Sequence, residues 1–168
     1  ARKLKIKVFA GSETDVLDRY YQTAKRFGIN DTIVRLTGDC SLMDPGVIDA
    51  VVRFYLKNKK SCQYASNVDP PTFPDGMDTE VFSFLALEET WKNADLLSER
   101  EHVTLYIRNH PEKFNVKNVR SKKDLSCPRL VLDNKEDLIL IRKIFISLYP
   151  KNKKFTIFNY QFTLNKKM

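Results

Sequence analysis

The 168-residue chain is 42% hydrophobic and 30% charged, which suits one globular domain with its own core and excludes a disordered chain. No apolar run approaches the roughly 20 residues of a membrane helix, and the N-terminus lacks the apolar stretch and cleavage site of a signal peptide, so no membrane partner is expected and the cytoplasm is the expected location. The net charge of +8 would fit nucleic acid, but residues 1–60, 61–140 and 141–168 carry nets of +5, −4 and +7; an acidic middle interrupts any phosphate-tracking stripe, and no nucleic-acid partner is expected. Cys40, Cys62 and Cys127 are widely separated with no CxxC pair, which predicts reduced thiols rather than a disulfide framework or a zinc site.

In KLKIKVF, Leu4, Ile6 and Val8 alternate with lysines, the period-two pattern of an edge strand. A helix is predicted from about residue 13 to 27, with Val16, Leu17, Tyr20, Tyr21, Ala24 and Phe27 on one face and Gly28 at its end. TIVRL at 32–36 reads as a short buried strand, and Asp44 with Pro45 supplies an N-cap and a first-turn proline for a helix along Val47, Val51 and Tyr55. A weak strand at 62–66 leads into VDPPTFPDGMD, an ordered loop rich in Pro, Asp and Gly. A strand near 79–83 and a helix through Leu87 and Trp91 follow. Ser98 and Glu101 then read as a capping box for a helix to about Asn109, ended by Pro111. Strands near 115–120 and 129–132 precede a last helix with Asn134 as N-cap, Asp137 at its third position, and Leu138, Ile141, Ile144, Phe145 and Leu148 on one face. Residues 1–150 are expected to form the domain, and 151–168 a basic aromatic tail with no assignable element.

Strands alternating with helices imply a largely parallel sheet, whose ligands gather at the carboxyl ends of the strands. Asp39, in VRLTGDCSLMDP, and Asp133, in RLVLDNKEDL, each follow a predicted strand, and Gly38 before Asp39 lets the backbone approach a ligand. Two carboxylates at one sheet crest are the partial ligand set that magnesium uses when phosphates and water complete its octahedron. Capping of a turn or helix is the commoner fate of such aspartates, and both readings stand on spacing alone.

GSETDVLDRYYQTAK, VRLTGDCSLMDP, YASNVDPPTFPDGMDTEVFSF, SEREHVTLYIRNHP and RLVLDNKEDLILIRKIF, co-ordered over about residues 7–150, together resemble the cytidylyltransferase family of spore-coat polysaccharide, acylneuraminate and 3-deoxy-manno-octulosonate cytidylyltransferases. The resemblance implies a three-layer αβα fold of the nucleotide-diphospho-sugar transferase type, with a mostly parallel, Rossmann-like sheet. It implies transfer of CMP from CTP to a sugar or sugar acid, with release of pyrophosphate, in surface polysaccharide biosynthesis. Asp39 and Asp133 fall on the family's magnesium-binding, catalytic aspartates. Asn67, Asp75, Gly76, Asp78 and Glu80 fall where the family contacts the acceptor sugar, and Glu101, His102, Thr104 and Arg108 match a segment flanking the acceptor. Arg129 and Lys123 are placed to meet phosphate or a sugar carboxylate near Asp133. A homodimer is plausible on the same ground.

Family members open with a strand and a glycine- and arginine-containing loop with a downstream lysine, which cradles the triphosphate. This sequence has no counterpart to that strand and loop, so the resemblance implies an N-terminally truncated chain that binds CTP weakly and does not turn over alone. Ser41 replaces a usual proline, as does Leu105. Two other readings remain: a non-catalytic interaction module that keeps the acceptor half of the fold, and a nucleotide-sugar glycosyltransferase, whose usual Asp-x-Asp motif is absent.

Overall fold

The computed structural model describes residues 2–150, 152, 153 and 156, and most of the predicted tail lies outside them. The elements are α1 (Val16–Arg26), β1 (Thr32–Arg35), α2 (Pro45–Asn58), β2 (Tyr64–Ser66), β3 (Glu80–Ser83), α3 (Phe84–Asn93), α4 (Leu97–Glu101), α5 (Leu105–Asn109), β4 (Val116–Asn118) and α6 (Lys135–Leu148). The fold is mixed α/β, with the strands in the order β1-β3-β2-β4. Gln63 N–H donates to Asn115 C=O at 3.1 Å and Val119 N–H to Ser66 C=O at 2.7 Å, so the partners advance together and β2 and β4 are parallel. Ser83 N–H donates to Gln63 C=O and Phe84 N–H to Asp31 C=O, which sets the end of β3 beside the starts of β2 and β1. Thus β1, β2 and β4 share one direction and β3 opposes them.

The chain divides into two compact units, Ala1–Ile33, Lys59–Tyr64 and Phe82–Val116 in the first, and Val34–Asn58, Ala65–Val81 and Lys117–Met168 in the second. In the first, Leu17, Tyr21 and Ala24 of α1 pack with Ala86 and Leu87 of α3, Tyr106 and Ile107 of α5, and Tyr64 and Phe82. Side-chain polar groups tie that core: Asp15 caps α1 by accepting Asp18 N–H at 2.8 Å, and its second oxygen takes Arg100 Nε and Nη2 at 2.9 and 2.6 Å. Trp91 stacks on Tyr21 at 4.1 Å and donates its indole N–H to Asp18. In the second unit, Leu42, Val47, Met77, Leu125, Leu130, Ile141 and Ile144 form a separate core. Its helices carry the predicted starts: the Asp44 carboxylate accepts Gly46 N–H at 2.7 Å beside Pro45, and Asn134 with Asp137 closes a full capping box on α6.

Five local expectations change. The strand expected to be buried at 32–36 is β1, and none of its residues is buried, with Val34 and, just past its end, Leu36 exposed. The predicted edge strand over Leu4–Val8 is not one: Arg2–Leu4 forms a 3-10 turn and residues 6–10 are irregular, with Leu4, Ile6 and Val8 exposed. Alternation marks a strand only where a neighbour can complete its hydrogen bonds, and no described strand lies beside it. The predicted helix from Ser98 to Asn109 is two, α4 and α5, broken at Val103, which is fully buried at φ 55°; that left-handed conformation is disfavoured for a β-branched residue and breaks the helical ladder. Ser98 therefore lies inside α4, whose N-cap is Leu96 with no side-chain bond. The predicted strand at 129–132 reduces to a single parallel bridge of Arg129 with Asp75. In α6, Phe145 is exposed rather than buried.

Candidate functional site

Chemistry-bearing side chains concentrate in the second unit, on three segments that follow from local rules. β1 ends at Arg35, and the loop beyond it carries Asp39, half-buried, at a turn with Gly38. The Pro-rich loop 67–79 is not merely solvated: the Asn67 side chain donates to Met77 C=O at 2.9 Å and accepts Thr79 N–H at 2.8 Å. Asn67 is buried, and its amide therefore fixes the backbone on both sides of Asp78. The third segment runs from Arg129 to the capping box of α6.

Backbone hydrogen bonds tie these segments together. Leu130 N–H donates to Asp75 C=O at 2.7 Å, and Leu132 N–H to Asp39 C=O at 3.0 Å. The second bond joins the Asp39 turn to the residue immediately before Asp133, so the two aspartates singled out by sequence belong to adjoining loops. Gly76, at φ 97°, lies flat against this segment, and a Cβ there would meet Leu130 C and O at 2.7 Å. Only glycine permits both that conformation and that approach.

The electrostatics are lopsided. Glu80 is buried and paired with Arg35, a partner that spacing did not single out, although Arg35 in TIVR is a cation inside a short apolar strand. Asp78 accepts no hydrogen bond among the described residues, and its carboxyl is pushed up to about 6, by burial first, then by the charges of Asp75 and Glu80, with Arg35 opposing and Asp39 adding to the rise. Burial likewise raises the Cys40 thiol, against the hydrogen bond from Thr37; that thiol lies 3.8 Å from the Asp39 carboxylate. Asp133 is exposed, and its carboxylate is paired with Arg129, which also reaches Asp137 at 2.8 Å and Asp75 at 3.5 Å.

Asp39, Asn67, Asp75, Gly76, Asp78, Glu80, Arg129 and Asp133 thus all lie in the second unit. Glu101, His102, Thr104 and Arg108 lie in the first. There Glu101 and His102 are exposed at the end of α4, Thr104 is buried before α5, and Arg108 carries a buried Nε with no hydrogen-bond partner among the described residues. Lys123 is exposed in the loop after β4. Among the described residues no three His, Cys, Asp or Glu side chains converge on a common point for a metal ion. Asp39 and Asp133 are the two carboxylates that could hold a magnesium ion here, with water and substrate phosphate as its remaining oxygens.

Comparison with known proteins identifies the frame that carries these residues. A family model described as cytidylyltransferase matches residues 1–163. The chain is 45% identical over 113 residues to the uncharacterized protein MJ1063 of Methanocaldococcus jannaschii, covering 67% of this chain and 44% of that protein. It is 32% identical over 142 residues to the spore coat polysaccharide biosynthesis protein SpsF of Bacillus subtilis, covering 83% of this chain and 57% of that protein. The chain thus spans about half the length of the curated relatives it matches. A solved cytidylyltransferase of Leptospira borgpetersenii serovar Hardjo-bovis superposes with a TM-score of 0.91 at 33% identity, over 98% of this chain and 68% of that one.

Proposed function

Because the chain belongs to the cytidylyltransferase family, we propose that the protein it represents transfers CMP from CTP to a sugar or sugar acid, releasing pyrophosphate. The likeness to a spore coat polysaccharide biosynthesis protein supports a role in making surface polysaccharide, and no described helix is long and apolar enough to cross a membrane, in keeping with a cytoplasmic reaction. The observation that carries the chemical reading is the Leu132 N–H to Asp39 C=O bond, which brings the loops of two family-matched aspartates side by side.

In this reading Asp39 and Asp133 hold magnesium. When bound, the ion neutralises charge on the α-phosphate and orients the attacking hydroxyl. The rest falls to the chain itself. Asn67 and Gly76 fix the loop that presents Asp75 and Asp78 to the acceptor, Arg35 holds Glu80 in place, and Arg129, paired with Asp133, is the cation proposed to meet phosphate there. Glu101, His102 and Arg108 are proposed acceptor contacts on the family match, and a homodimer is proposed on the same ground.

The test is release of pyrophosphate from CTP by the complete protein with a panel of sugars and sugar acids, with and without magnesium. Asp39→Ala and Asp133→Ala are each expected to lower the rate at least about a thousandfold while leaving circular dichroism and melting unchanged. Wild-type rates in either variant would end the metal assignment.

A further inference from the structure

Asp133 is not waiting as an open ligand: its carboxylate has the Arg129 guanidinium as its partner. We infer that Arg129 is a resident counter-ion that a divalent cation must displace from Asp133, so this arginine sets the metal affinity of the site. The inference rests on the metal reading of Asp39 and Asp133 given above.

The geometry lets one contact go without losing the side chain. Arg129 spans three acidic groups on three segments: Asp75 on the Pro-rich loop, Asp133 at the chain's turn into α6, and Asp137 in the first turn of that helix. Of these, Asp137 is the firm anchor. It is the least exposed of the three, one of its oxygens takes Arg129 Nη1 at 2.8 Å, and the other accepts the N–H groups of Asp133 and Asn134 at 3.0 and 3.1 Å. Asp133 is 54% exposed and Arg129 43%, and an ion pair so open to water holds its partners weakly. A divalent ion can therefore take the Asp133 carboxylate while Arg129 keeps Asp137, and the freed end of the guanidinium gains room to meet an anion. Backbone pairing of Arg129 with Asp75 keeps the stem in place throughout.

Manganese, read by the loss of its free-ion paramagnetic resonance signal, serves as the probe on the complete protein without nucleotide. Arg129→Gln is expected to bind manganese about two- to fivefold more tightly than the wild type, the size of a weak exposed pair. In an Asp133→Asn background the same substitution is expected to change nothing, because the competition runs through that carboxylate. Equal or weaker binding by Arg129→Gln, or a gain that survives Asp133→Asn, overturns the counter-ion role while leaving the metal site standing. No binding by any form overturns the metal reading and the competition with it. Should Arg129→Gln fail to fold, Arg129→Lys, whose point charge cannot bridge three carboxylates, is expected to shift affinity in the same direction by less; no shift overturns the role.

Discussion

In the first unit acids are matched to bases. Burial pushes Asp15 up, but the Arg100 hydrogen bonds, the Asp18 N–H and the Arg100 charge outweigh it and hold the carboxyl below its ordinary value. Glu88 is likewise lowered, by Lys92 and then Tyr21. In the second unit Asp78 is raised, with Asp39, Asp75 and Glu80 as neighbours and Arg35 as the opposing cation. The contrast separates Asp15 and Glu88, each held by a neighbouring base, from Asp78, whose charged neighbours are mostly acids. Uncompensated charge that a fold tolerates is a signature of sites made for a ligand, and here it falls on the loop that carries the proposed acceptor contacts.

That contrast can be broken at several points, and the largest effect belongs to the first unit's core. Phe82 is fully buried there, and Phe82→Ala is expected to cost about 3–5 kcal/mol in denaturant unfolding; a loss under about 1 kcal/mol would show that this unit is not the packed scaffold described. Next, Gly76→Ala must strain a backbone at φ 97° and push against Leu130, with an expected loss of about 2–4 kcal/mol. An unperturbed melting curve would mean that loop 67–79 is not seated on residues 129–131.

The third prediction has the opposite sign. The folded-state value of Asp78 lies above its ordinary 3.8, at about 6, so the folded chain holds the proton longer than the unfolded chain does. Its contribution is harmless below about pH 4, and stability falls as the pH rises from about 4 through about 6. Asp78→Asn is therefore expected to stabilise the protein at pH 7 by about 1–3 kcal/mol, the upper end being the full shift without solvent screening, and to flatten the pH profile in that window. Equal melting points at pH 7 would remove the idea that the site opposes the fold. Asp15, depressed instead, adds stability that is present above about pH 4 and lost only in stronger acid. The smallest effect is Arg100→Ala, about 1–2 kcal/mol through Asp15 and the Trp91 carbonyl; measured in 1 M salt, most of that loss should remain, because the pair is partly buried and salt screens it little.

Much of this was legible before any coordinates. Asp44, Pro45, Asn134 and Asp137 mark helix starts by side-chain chemistry that acts within three residues, and α2 and α6 begin at or beside them, whereas α1 opens at Val16 under Asp15, a few residues past the expected start. Gly28 takes a left-handed φ of 66° just past α1, as a helix end requires. Local periodicity misled where the deciding partner was distant. The alternation of Leu4, Ile6 and Val8 does not make a strand, Val103 is buried at the expense of helical continuity, and residues 129–132 make a bridge rather than a strand.

The sequence by itself determined the identities that the site can use: oxygen ligands at Asp39 and Asp133, a glycine at 76, an amide at 67 and a guanidinium at 129. Only the tertiary structure decided what each is engaged with. It turned Asn67 into the clamp around Asp78, gave Glu80 to Arg35, and tied Asp133 to Arg129. It also brought the Asp39 turn to the chain before Asp133 through one backbone bond between residues 93 positions apart. The reason is range: capping and turn formation act over a few residues, whereas a carboxylate's charge, proton and partner depend on whatever the folded chain brings within a few ångströms of it.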